Sequence, residues 1–176
     1  AYEITYGDWS SEVCSSDLLH RPANVDAGDA FAQLLKAIAE ATRGEKVVFP
    51  VHPRTAKTLK EVGAVPKSLL LVDPQPYLEF NYLVKHAKAV ITDSGGITEE
   101  TTVMGVPCLT MRDNTERPET VEVGTNELIG TNPAALKPAL DRLFEGKWKK
   151  GSVPELWDGK TSERIVAHLE KVLAAG

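Results

Sequence analysis

Short apolar segments alternate with helical patterns along most of this chain, and this alternation limits the fold more than any other feature. The segments are bounded by Gly and Pro, as is typical of strands buried on both faces. Predicted strands cover 46–51, 68–72, 89–92 and 107–111, with a further segment at 126–130. Predicted helices cover 27–44, 55–62, 77–87, 96–104, 119–123, 132–144 and 162–174. The pattern predicts a Rossmann-like α/β domain, with a parallel sheet and helices on both faces.

Composition narrows the class of protein further. A chain of 176 residues is long enough for one ordinary domain, and its apolar content of 42% with 26% charged residues is typical of a globular protein. It has no apolar run long enough for a membrane span. The net charge of −5 disfavours a general nucleic-acid binder. Cys14 and Cys108 are far apart and lack metal-ligand spacing, which favours a reducing cytoplasm and predicts no metal site.

The N-terminal segment differs from the rest of the chain. Residues 1–18 open on Ala1 and show neither a signal-peptide pattern nor a period of 2 or 3.6. Within them, 9–18 resembles translated sequencing-adapter sequence. We therefore predict an irregular or artefactual segment at 1–18 and a single domain at 19–176.

The loop after the third predicted strand has the sequence TDSGG at 92–96. In parallel sheets, ligands bind beyond the carboxyl ends of the strands. Gly95 and Gly96 would expose backbone N–H groups at a helix N-terminus, and Ser94 could add a hydroxyl donor, which together suit a phosphate. Alternatively, the glycines only form a tight turn and Ser94 only caps the helix.

Charged residues near this turn have two interpretations each. Glu99 and Glu100, expected in the first turn of the helix, could simply oppose its dipole, or one carboxylate could accept both hydroxyls of a ribose. Arg117 could balance a diphosphate, or it could pair on the surface with Glu116 or Glu119.

Several longer motifs resemble the non-hydrolysing UDP-N-acetylglucosamine 2-epimerase family. They are TDSGGITEE at 92–100, GVP at 105–107, MRDNTERPE at 111–119, VGT at 123–125, GT at 130–131 and GKTSERI at 159–165. Upstream, PVHP at 50–53 and DPQPYLEF at 73–80 are also similar to the family. The resemblance covers roughly residues 19–174.

The resemblance implies the C-terminal domain of a GT-B-type two-domain fold that binds UDP mainly through this domain. It assigns the diphosphate to Ser94, Gly95 and Gly96, the ribose hydroxyls to Glu100, the phosphate side to Arg117 and the uracil environment to Phe80. An aromatic residue on a helix is otherwise more often part of a core.

Two histidines have roles only through the same resemblance. His20 and Arg21 match the start of the family's His-Arg-Arg-Glu-Asn motif, in which the histidine is catalytic and the arginine belongs to the substrate site. Here Ala23 replaces the family's glutamate, which puts the local hydrogen-bond network in doubt. His52 could face a second nucleotide sugar in the cleft between domains, or it could cap its own loop.

The implied reaction converts UDP-GlcNAc to UDP-ManNAc by elimination and re-addition of UDP, with no cofactor and no metal. Several catalytic carboxylates of the family come from a domain that this chain lacks, so we expect weak UDP binding without epimerisation. Two alternatives stay open: a stand-alone nucleotide-sugar-binding module, and the donor domain of a GT-B glycosyltransferase. The 113–119 stretch favours the epimerase. The resemblance also implies a family-like homodimer, and a missing domain would leave a partly apolar cleft face exposed, which favours self-association.

Overall fold

The computed structural model describes residue 19 and residues 28–174, apart from the side chain of Arg54. The strands in this part are β1 (Val47–Pro50), β2 (Leu69–Val72), β3 (Val90–Thr92), β4 (Cys108–Thr110) and β5 (Asn126–Leu128). The helices are α1 (Gly28–Ala41), α2 (Pro53–Val62), α3 (Tyr77–Lys85), α4 (Gly95–Met104), α5 (Pro118–Glu122), α6 (Leu136–Phe144) and α7 (Thr161–Ala174). The predictions for 1–18, His20 and Arg21 lie outside the described residues.

The apolar periodicity of α1 explains its place in the core. Phe31, Leu34, Leu35 and Ile38 recur on one face of the helix, and all are buried. Burying a side chain of this size typically contributes about 1.5–3 kcal/mol. Helix α1 packs against α2 and α6, and such tertiary packing usually stabilises a helix more than its intrinsic propensity does.

All observed strand pairs are parallel, as predicted. Val47 of β1 lies opposite Leu69 of β2, while Cys108 of β4 lies between Val90 of β3 and Asn126 of β5. Within the described residues, however, the hydrogen-bonded order is β1–β2 in one group and β3–β4–β5 in another. The strands thus form two parallel groups, where the sequence predicted one continuous sheet, because no described strand pairs with the remaining edges of β1 and β3.

Side chains on the two faces of the strands belong to two core clusters. One contains α1, α6 and Leu109, with Ile91 packed against it. The other contains Val90 and Cys108 together with residues of α3 and α4. Successive residues of a strand point to opposite faces, so the clusters lie on opposite sides of the sheet. Helices on both faces are therefore confirmed.

The C-terminal part differs from the predicted pattern at its boundaries. Asn132 accepts a hydrogen bond from the Ala134 N–H at 3.0 Å, as expected of a cap, but Pro133–Ala135 form a 3₁₀ turn before α6. Helix α7 buries none of its side chains within the described structure, although Ile165, Val166 and Leu169 lie along it. Its apolar face is thus left without a covering element there. None of the described helices has both the length and the apolarity required to cross a bilayer.

Candidate functional site

The loops singled out from the sequence all leave parallel strands at their carboxyl ends. His52 follows β1, Asp73 follows β2, Ser94 follows β3 and Arg112 follows β4. Ligands of open α/β sheets bind at this edge. The structure therefore places these four loops at the edge where such a fold binds its ligand.

The Ser94–Gly96 turn leads from β3 into helix α4. Ser94 occupies the N-cap position of α4, but its side chain makes no capping hydrogen bond within the described structure. Its own N–H donates to the Thr92 hydroxyl at 3.0 Å. Gly95 and Gly96 begin α4 and are not among the described glycines with positive φ. The φ angles thus give no reason for two glycines here, and the first N–H groups of any helix lack partners within that helix.

The space beside this turn is open on one side and polar on the other. A Cβ added at Gly96 would meet no heavy atom of the described residues within 4 Å. A Cβ at Gly95 would lie 3.7 Å from both Arg112 Nη1 and Glu116 Oε2. A group that approaches the start of α4 therefore meets exposed backbone with a guanidinium nearby.

Arg112 is a residue of this site whose role the sequence did not reveal. It is 5% exposed, and its Nη1 and Nη2 atoms donate to the two carboxylate oxygens of Glu116 at 2.9 and 2.7 Å. Nη2 also donates to Asn114 Oδ1 at 3.3 Å. The bonds to Glu116 raise the pKa of Arg112, burial opposes this, and the charges of Glu116 and Asp93 add to it. Arg112 thus keeps a positive charge beside Gly95. Its hydrogen bonds to Asn114 and Glu116 also connect the two ends of the 112–116 loop.

Arg117 forms an ion pair, but with a partner that the sequence did not indicate. Its Nε donates to Glu99 Oε1 at 2.5 Å, whereas the expected surface partners were Glu116 and Glu119. Both side chains of the pair are partly exposed. Because Glu99 belongs to α4, this pair brings Arg117 to the helix that begins at the Gly95–Gly96 turn. An anion bound there would share Arg117 with Glu99.

Glu100 carries an acceptor atom that is left without a donor. Its Oε2 is buried and has no hydrogen-bond partner among the described residues. Burial raises the pKa of Glu100, a hydrogen bond with Tyr77 opposes this, and the nearby charge of Glu99 adds to it. A buried acceptor without a donor is costly, so a donor supplied by a ligand would be favoured at this atom.

A buried polar chain supports the Arg117 loop. The Thr110 hydroxyl donates to Asn126 Oδ1 at 2.6 Å, and Asn126 Nδ2 donates to the Thr120 hydroxyl at 3.2 Å. Thr120 in turn donates to the Arg117 carbonyl at 2.7 Å. These residues connect β4, β5 and α5, so the core fixes the backbone that carries Arg117. In the sequence, Thr110 and Asn126 are visible only as polar residues within two short strands.

The remaining predicted residues lie in different environments. Phe80 is 1% exposed and packs in the core with Val84, Val90 and Ile97. Its side chain therefore has the core position that is usual for an aromatic residue on a helix. The His52 carbonyl accepts the Ala56 N–H at 3.0 Å in the first turn of α2, which agrees with a role for the His52 main chain in its own loop.

Comparisons with known proteins identify the family. The family model described as UDP-N-acetylglucosamine 2-epimerase matches residues 13–170. A curated relative with that name from Methanocaldococcus jannaschii is 41% identical over 157 residues, which are 84% of this chain and 42% of the relative. The M. jannaschii UDP-GlcNAc 2-epimerase, solved in complex with UDP-GlcNAc and UDP, has a TM-score of 0.72 at 40% identity and covers 86% of this chain and 43% of its own.

A second solved structure agrees with this assignment. The UDP-GlcNAc 2-epimerase of Neisseria meningitidis, bound to UDP-GlcNAc, has a TM-score of 0.72 at 29% identity, with 87% of this chain and 43% of that chain covered. The chain thus spans less than half the length of these relatives. Its described fold matches that of their C-terminal half. By the extent of the family match and by its motifs and fold, the chain belongs to the UDP-N-acetylglucosamine 2-epimerase family.

Proposed function

We propose that this chain is the nucleotide-binding half of a UDP-GlcNAc 2-epimerase and binds UDP at the start of α4. The observation that carries the proposal is the buried Glu100 Oε2, which has no donor among the described residues and lies on the helix that the Gly95–Gly96 turn begins. Solved relatives bind UDP-GlcNAc and UDP, which supports the same ligand here. A ribose hydroxyl would supply the donor that Glu100 lacks.

In the proposed complex, different described residues bind different parts of UDP. Backbone N–H groups at Gly95 and Gly96, with the Ser94 hydroxyl, bind the diphosphate, and the dipole of α4 favours its negative charge. Glu100 accepts from the ribose, and Arg117 stabilises the phosphate charge after releasing part of its pairing with Glu99. Arg112 supports these contacts indirectly. Its guanidinium lies next to Gly95, and its hydrogen bonds to Glu116 order the loop that leads to Arg117.

Four further residues complete the proposal. Phe80 contributes to the uracil environment through the helix that it anchors in the core. His52 faces a second nucleotide sugar in the cleft between domains. His20 and Arg21, in the part of the chain outside the described residues, serve the reacting sugar, with His20 as the catalytic group.

The reaction proceeds by elimination and addition. A base removes the C2 proton of the sugar, the C1–O bond breaks, and UDP leaves to give a glycal. After the opposite face is protonated at C2, UDP adds back at C1. Positive charge and N–H groups at the start of α4 stabilise the departing UDP, which is the share of the chemistry that this domain supplies. Neither a cofactor nor a metal takes part.

The isolated chain is proposed to bind UDP without epimerising, since the family's other catalytic groups lie in a second domain. The apolar face of α7 is where we place contact with that domain or with a partner chain in a homodimer, because Ile165, Val166 and Leu169 are each more than half exposed. The cytoplasm is the proposed location. Sustained turnover of UDP-GlcNAc by the purified chain alone would contradict the proposal that the chain binds UDP without epimerising.

A Gly96→Ala variant separates binding from folding. The added methyl group enters open space in the protein, and alanine favours a helix over glycine, so the thermal midpoint should stay equal or rise. In the complex, the same methyl group would occupy the space of the diphosphate. We expect UDP affinity to fall at least about ten-fold, which corresponds to about 1.4 kcal/mol.

Calorimetric titration with UDP and with uridine provides the check. Uridine lacks the diphosphate, so its binding should change much less in Gly96→Ala. Equal UDP affinity of Gly96→Ala and the unmodified chain would place the phosphates elsewhere.

A further inference from the structure

Arg112 and Arg117, the two arginines of the loop after β4, are each paired with a carboxylate. Arg112 donates to both carboxylate oxygens of Glu116, at 2.9 and 2.7 Å, and Arg117 donates to Glu99. Fully buried Asp93 also lies close enough for its charge to raise the pKa of Arg112. These two arginines and three carboxylates together carry no excess of positive charge, although a diphosphate is strongly negative.

Glu116 is the carboxylate that lies beside the first residue of α4. A Cβ added at Gly95 would lie 3.7 Å from Glu116 Oε2. The side chain of Glu116 is 64% exposed, whereas that of Arg112 is 6% exposed. The pair thus keeps its guanidinium inside and presents its carboxylate to solvent. An anion that reaches Gly95 therefore comes close to the negative charge of Glu116.

This carboxylate affects a free anion and a nucleotide differently. The N–H groups and the dipole at the start of a helix attract any phosphate, and a nearby negative charge opposes that attraction. Proteins often obtain specificity from a repulsive element of this kind. A nucleoside diphosphate can offset the repulsion through its ribose, because Glu100 Oε2 is a buried acceptor without a donor among the described residues. Free phosphate and pyrophosphate have no such additional contact.

We propose that Glu116 is a specificity-determining residue: its carboxylate lowers the affinity of the start of α4 for anions, so that free phosphate and pyrophosphate are excluded while UDP still binds. The inference rests on the proposed UDP site and deepens it. A purely structural role is the alternative, in which Glu116 only orders the loop through Arg112. Loss of the charge should then weaken UDP binding, whereas the proposed role predicts that UDP binding becomes stronger.

A Glu116→Gln variant tests the direction of this change. Glutamine can still accept a hydrogen bond from Arg112, but it carries no charge. We expect the affinities for UDP and for pyrophosphate each to rise at least about three-fold, which is typical of removing one exposed like charge. Uridine affinity should stay the same, because uridine carries no phosphate. Calorimetric titration with UDP and uridine, and competition of pyrophosphate with UDP, measure these affinities.

Two matched variants control for net charge and for side-chain shape. Glu122→Gln removes the same charge from an exposed residue at the end of α5 and should leave the affinities for UDP and pyrophosphate unchanged. Glu116→Asp keeps the charge with one methylene fewer, so its affinities for both ligands should stay below those of Glu116→Gln. The Glu116 side chain is largely exposed, so these exchanges should preserve the fold, which circular dichroism checks.

The outcomes separate this inference from the proposed function. Unchanged or lower affinities of Glu116→Gln for UDP and pyrophosphate, with UDP still bound by the unmodified chain, overturn the inference and leave the proposed function standing. An equal rise in Glu122→Gln also overturns it, since net charge would then explain the effect. Absence of UDP binding by the unmodified chain contradicts the proposed function and this inference with it.

Discussion

An Asn126→Leu variant is expected to lose about 2–4 kcal/mol of unfolding free energy, because it removes the buried acceptor of the Thr110 hydroxyl and the donor to the Thr120 hydroxyl. Asn126 is fully buried, accepts from Thr110 and donates to Thr120. Leucine has nearly the same size but offers neither bond. Urea unfolding followed by circular dichroism measures the loss.

A double variant distinguishes lost hydrogen bonds from disturbed packing. Replacing both polar partners by apolar groups of similar shape is far less costly than removing one. Asn126→Leu combined with Thr110→Val should therefore be less destabilised than the sum of the two single variants. Additive losses would show that the Thr110–Asn126 bond contributes little. The single variant should also weaken UDP binding, since Thr120 links this bond to the Arg117 backbone.

Gly151→Ala is expected to be destabilised by about 1–3 kcal/mol or more through steric overlap. A Cβ at this position would lie 2.5 Å from the Thr125 nitrogen and 2.6 Å from the Gly124 carbonyl oxygen. These are backbone atoms just before β5, and they cannot rotate away. Nearby bonds hold the two segments together, from Trp148 Nε1 to the Thr125 carbonyl at 3.0 Å and from Ser152 N–H to the Val123 carbonyl at 2.9 Å.

Gly96→Ala is the matched control for this variant, because its methyl group meets open space. Urea unfolding of the two variants side by side should show a lower midpoint for Gly151→Ala alone. A Gly151→Ala midpoint equal to that of the unmodified chain would mean that the backbone at 124–125 adapts without cost.

The strands and helices of the domain were largely predictable from the sequence, because their apolar periodicity is local. The Gly95–Gly96 turn could be located for the same reason, since it separates a buried strand from a helix. Partners distant in sequence could not be predicted. Arg117 pairs with Glu99 on another element, and neither charge pattern nor spacing distinguishes that carboxylate from Glu116 or Glu119.

Burial explains the other differences between expectation and structure. Phe80 packs in the core because α3 turns this side towards the sheet, which a motif match does not reveal. Arg112 lies beside Gly95, and only the folded loop brings the two together. The separation of the strands into the groups β1–β2 and β3–β4–β5 was not predicted either. The apolar periodicity of a strand does not indicate which other strands pair with it.

Titration of the purified chain with UDP tests the central claim most directly. The account predicts saturable binding heat with one UDP per chain and a rise in the thermal midpoint at millimolar UDP, because a ligand that binds only the folded state stabilises it. Uridine should bind more weakly, since it leaves the start of α4 unoccupied. Absence of both heat and midpoint shift at millimolar UDP would contradict the account.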